Sequence, residues 1–103
     1  MEVIKKLNGD VLTVELKGEV DECGCAAFRP TIDAAFSEAG INKVIVDLSK
    51  VSFMDSTGIG MLLGRYKTLK MRGVPILLRS PTPVVDKLLN LSGIYEIMPK
   101  INR

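Results

Sequence analysis

Between Phe53 and Gly60 the chain reads FMDSTGIG, which places an acid, two hydroxyls and a glycine in one row. A serine or threonine hydroxyl can act as a nucleophile, help to hold a phosphate, or accept a modification. The first requires a base, and the chain contains no histidine, so no Ser-His-Asp or Cys-His arrangement can form. Ser56 also lies outside a G-x-S-x-G elbow. We therefore expect no enzyme and assign no catalytic residue. Phosphate binding by a GxxxxGK[ST] loop fails on the missing lysine and on spacing. What is left is modification of a hydroxyl by another protein. A phosphate would add about −1.5 to −2 charges at a turn where a helix dipole tolerates them. A plainer reading stands beside this one: Asp55, Ser56 and Thr57 are all helix-capping types. With Ser56 as N-cap, Ile59 occupies the place where a capping box needs Glu or Gln.

Other reactive side chains carry less. Cys23 and Cys25 lack the histidines or further thiols that would complete a metal site, so reduced, incidental thiols are expected, with neither metal nor cofactor. Met54 and Met61 read as core or rim packing. Gly60 and Gly64 share one helical face, suited either to packing on a sheet or to a flat docking surface. Arg65, Lys67, Lys70 and Arg72 read mainly as a solvated face. A net charge of +2, five aromatics and no RNP-type signature argue against a nucleic-acid partner.

The elements that position this row follow from periodicity. At 103 residues the chain suits one domain, residues 1–103, without a linker or an evident internal repeat. No apolar run approaches the roughly 18 residues of a membrane span, and the N-terminus lacks a signal-peptide core, so a cytoplasmic protein with no membrane partner is expected. Apolar alternation on either side of Asn8-Gly9 predicts a β-hairpin. A helix is predicted from about Cys25 to Ala39, kinked at Pro30 or regular only from there, and closed by Gly40. KVIVDLS predicts a buried strand. The apolar positions from Ile59 onward predict a second helix ending at Gly73, and VPILLRS another strand. Thr82, Pro83 and Gly93 delimit a third helix, and Tyr95–Met98 is expected as a short edge strand. The order ββαβαβαβ implies an open, mixed α/β sheet of about four to five strands with about three helices packed mainly on one side.

VSFMDSTGIGMLLGRYKTLK (Val51–Lys70), with GEVD (Gly18–Asp21) and LNLSGIYEIM (Leu89–Met98), resembles the STAS-domain anti-sigma factor antagonists, and the resemblance spans nearly the whole chain. It implies a STAS fold and a protein that binds an anti-sigma factor serine kinase and so releases a sigma factor. Phosphorylation by that kinase would switch it off and a serine phosphatase would restore it. The resemblance places the phosphoacceptor on Ser56, with Thr57 second, and a partner-binding surface on Asp21, Asp55, Ser56, Thr57, Gly58, Gly60 and Gly64. GRYK (Gly64–Lys67) inclines toward the sporulation type over the general-stress type. DECGCAAFRP departs from a good helix at Gly24 and Pro30, which leaves open where the first helix starts. A scaffold or transport-accessory STAS domain acting by constitutive association is the alternative.

Overall fold

In the computed structural model, which describes residues 1–102, alternate residues of three strands point into one core. Strand β1 (Glu2–Asn8) pairs antiparallel with β2 (Val11–Val20), and β3 (Lys43–Met54), β4 (Ile76–Arg79) and β5 (Lys100–Ile101) follow in parallel. The sheet order is β1-β2-β3-β4-β5. Helices α1 (Glu22–Ala27), α2 (Arg29–Phe36), α3 (Ser56–Met71) and α4 (Pro83–Ser92) make the crossovers. Leu12, Val14, Val44, Val46, Ile76 and Leu78 meet Ile32, Phe36, Leu62, Leu69, Val85 and Leu89 in a single buried cluster. The intervening Thr13, Ile45 and Leu77 stay half-exposed on the face without helices.

That second face is held by charge. Ile4, Glu15, Asp47, Arg79 and Ile101 form one row across all five strands. Glu15 and Asp47 are buried there, each 8% exposed. Lys6 and Lys17 reach Glu15 at 3.5 and 3.6 Å, and Arg79 Nη2 donates to Asp47 at 2.8 Å. Burial by itself would raise the Asp47 carboxyl, but hydrogen bonds from Ser49 and the Arg79 guanidinium bring it below its ordinary value.

Several expected boundaries move, each for a local reason. The hairpin turns at Gly9–Asp10, with Asn8 still paired to Val11 and Gly9 at φ +63°. The first long helix is two helices broken at Phe28, so Pro30 falls in the first turn of α2, where its missing N–H costs nothing. The second of these ends at Phe36 with Ser37 as C-cap, ahead of Ala39 and Gly40. The strand read as KVIVDLS runs on to Met54, because β2 continues to pair with it up to Val20. Thr82 does precede α4, but its hydroxyl donates to the Val51 carbonyl at 2.9 Å instead of capping. Tyr95–Met98 is not a strand. Gly93, at φ +77°, turns the chain into a 3-10 turn (Ile94–Glu96) that buries Ile94 and Met98 on one side. The edge strand forms only beyond Pro99.

Of the four basic residues read as a solvated face, Lys67 and Lys70 are exposed. Arg72 is exposed as well and donates to the Glu38 carbonyl at 2.6 Å; Arg65 instead is half-buried and pairs with Asp33.

Candidate functional site

Strands β2 and β3 stop side by side, Val20 opposite Met54, and each runs into an aspartate. Asp21 (φ −117°, ψ −175°) and Asp55 (φ −115°, ψ −172°) share one extended conformation and cap α1 and α3 respectively. Asp21 Oδ1 accepts the Gly24 N–H at 2.8 Å. Asp55 Oδ1 accepts the N–H groups of Thr57 and Gly58 at 2.9 and 3.2 Å. The same D-x-x-G device thus occurs twice, as DECG and DSTG. Sequence reasoning missed this short local repeat, whose signal is the equal Asp-to-Gly spacing of DECG and DSTG.

Asp55 has a second task. Its Oδ2 accepts the Glu22 N–H at 3.3 Å, so one carboxylate serves the first turns of both helices. It fills donors that helix termini otherwise leave open. The glycine at the fourth place of each device is steric. A Cβ on Gly58 would stand 2.6 Å from Met54 Cγ and 2.7 Å from the Val20 carbonyl; on Gly24 it would stand 2.9 Å from the Glu19 carbonyl. Gly58 is therefore buried packing between α3 and the end of β2, not a surface position.

With Asp55 as N-cap, Ser56 becomes the first residue of α3, so the helix starts three residues before Ile59. Ser56 and Thr57 are both exposed and neither hydroxyl makes the cap. Asp21 is half-buried beside them. Glu19, Asp21, Glu22 and Asp55 give this end of the sheet a negative charge. Burial pushes the Cys25 thiol up, and the carboxylates of Asp55 and Asp21 push it the same way. Cys23 is exposed and free, Cys25 buried and free.

A groove of about 510 Å³ separates α1 and α2 from α3. Cys25 and Ile32 line one wall; Thr57, Gly60, Met61 and Gly64 line the other. A Cβ on Gly60 or Gly64 would meet nothing within 4 Å. Of their two open readings, packing on the sheet therefore falls, and both glycines lie at the groove. Met54 is core, 4% exposed, while Met61 is half-buried at the groove rim.

The fold and this paired turn define a class. A STAS domain model matches residues 2–103. An anti-sigma F factor antagonist of Paenibacillus polymyxa is 36% identical over 86% of this chain and 76% of its own length. The anti-sigma factor antagonist SpoIIAA in its unphosphorylated form superposes with a TM-score of 0.79 at 27% identity, covering 97% of this chain and 88% of that one. The Bacillus cell fate determinant SpoIIAA in the phosphorylated form gives 0.71 at 26% identity, with 97% and 91% covered. The chain belongs to the STAS-domain family of anti-sigma factor antagonists.

Proposed function

We propose that the unmodified protein binds an anti-sigma factor serine kinase, so that a sigma factor is released, and that phosphorylation of Ser56 ends the binding. A serine phosphatase then resets it, and the cycle runs in the cytoplasm. The protein acts as a binding module without a catalytic residue of its own. The observation that carries this is the division of labour at the DSTG turn: Asp55 alone supplies the cap, which leaves the exposed Ser56 hydroxyl on a fixed helix end. That SpoIIAA exists in both forms supports the same switch here. The anti-sigma F antagonist among the relatives supports the sporulation type.

Asp21, Asp55, Ser56, Thr57, Gly60 and Gly64 form the docking surface, with Gly58 behind it as packing. A phosphate on Ser56 would add charge next to Asp55 and Glu22. A unit like-charge pair at ~4 Å costs about 1 kcal/mol in water and about 4 kcal/mol at an effective dielectric of 20. Even the lower figure is about a fivefold loss of affinity for a partner that must bring its own carboxylates or phosphates near. The test is incubation with the cognate kinase and ATP, followed by peptide mass spectrometry. Phosphate appears on Ser56; phosphate found only on Thr57 or elsewhere overturns the assignment. Ser56→Ala binds the kinase and resists modification, whereas Ser56→Asp binds weakly.

A further inference from the structure

Arg65 stands in the groove wall on α3, next to Gly64. Its Nη1 donates to Asp33 Oδ1 on α2. Its Nε is buried without an acceptor, alone in this among side-chain atoms of the described residues. A guanidinium usually meets a carboxylate through two parallel N–H groups, but Asp33 takes only one corner of the fork. The pair is also lopsided: the Asp33 side chain is 48% exposed and that of Arg65 24%. Water can replace Arg65 around Asp33 at little cost, while nothing among the described residues fills the remaining donor edge.

We infer that Arg65 is an anchor for a carboxylate side chain of the docking partner, which displaces Asp33 and, as the guanidinium swings out of that pair and uncovers Nε, takes Nε and an Nη side-on. This rests on the reading that the α3 surface docks a protein. Space and continuity favour such an occupant. Gly60 and Gly64 leave the groove beside Arg65 unfilled, and Thr57 carries the same wall up to Ser56. One partner can therefore engage the anchor and the switch together. Arg29, across the groove, is a second cation of its lining, balanced by Glu22 and Asp33, so that displacement of Asp33 leaves the cations in excess.

The test separates an anchor from a structural ion pair. Affinity for the cognate anti-sigma factor kinase, held with a non-hydrolysable ATP analogue, is measured by calorimetry for wild type, Arg65→Ala, Arg65→Lys and Asp33→Ala, with thermal melts to establish that each is folded. Arg65→Ala weakens binding about tenfold or more. Arg65→Lys, which keeps the charge but loses the fork, also weakens it. Asp33→Ala binds as well as wild type or tighter, because the competing acid is gone. Equal weakening by Asp33→Ala and Arg65→Ala overturns the inference. A second arm contains no kinase: the Arg65 Nε–H resonance is followed by ¹⁵N NMR during titration with N-acetylglutamate N-methylamide. A saturable shift, reached at lower concentration in Asp33→Ala, supports the anchor, and a flat response in both proteins overturns it. If the titration succeeds while wild type fails to bind the kinase, the fault lies in the functional reading and not in the anchor.

Discussion

The turns after β2 and β3 share their backbone angles, their capping aspartate and their glycine, yet they have different outcomes. DECG opens α1, which ends at Ala27, whereas DSTG opens the long α3, which runs to Met71. The difference lies in what each aspartate holds. Asp21 caps only its own helix, while Asp55 caps α3 and also receives the first N–H of α1. The second position of the device points outward in both turns, as the exposure of Glu22 and Ser56 shows. One turn therefore carries a permanent charge where the other has a hydroxyl that can acquire one. A rigid cap and a variable neighbour are compatible because the residue after an N-cap is not needed for capping.

This comparison can be broken most directly at the glycines. Gly58→Ala should lower unfolding stability by about 3 kcal/mol and Gly24→Ala by about 1 kcal/mol, read from urea denaturation. The Gly58 Cβ would meet Met54 and a backbone carbonyl of the neighbouring strand, while α1 is short enough to shift. Equal losses would mean that the two turns are equally constrained. At the caps, Asp55→Ala should cost about 2 kcal/mol and Asp21→Ala about 1 kcal/mol, since the first removes bonds to two helices. Hydrogen exchange sharpens this, because Asp55→Ala alone should release protection at Glu22.

A smaller contrast concerns the charge itself. Ser56→Asp should leave stability unchanged or raise it by about 0.3–1 kcal/mol through the α3 dipole, while it weakens kinase binding. A variant that loses binding by unfolding would contradict the proposed switch. The two thiols of the first turn should also differ: iodoacetamide labels exposed Cys23 at least roughly tenfold faster than Cys25, whose thiol is pushed above its ordinary value by burial and then by the carboxylates of Asp55 and Asp21.

The last contrast sets the turns against the sheet's helix-free face. Because Asp47 is held below its ordinary value in the folded state, its contribution is full above that ordinary value, 3.8, and is lost as pH falls through the lower folded one. Asp47→Asn should therefore flatten the acid limb of the stability profile below about pH 4, measured by urea titration across pH.

Much of this was legible in the chain. Apolar period located the helical crossovers at α2, α3 and α4, Thr82, Pro83 and Gly93 bracketed α4, and the DSTG row marked the start of α3. Local chemistry suffices for these features, since propensity and patterning act over a few residues. It failed where a distant neighbour decides. Tyr95–Met98 has strand-like composition, but burying Ile94 and Met98 together requires a helical turn. Arg65 looked solvated because nothing in GRYK reveals Asp33 on another helix.

By itself the sequence determined the element order, the apolar faces and an exposed hydroxyl at a helix start, because those depend on spacing along one segment. Only the structure decided which of Asp55, Ser56 and Thr57 does the capping, that Asp55 serves two helices, that Gly58 is packed while Gly60 and Gly64 are open, and that Arg65 has an unfilled donor. Apart from the local cap, each of these is a contact between segments about thirty residues apart in sequence or more, or the absence of one, and parallel strand register is what brings such segments together.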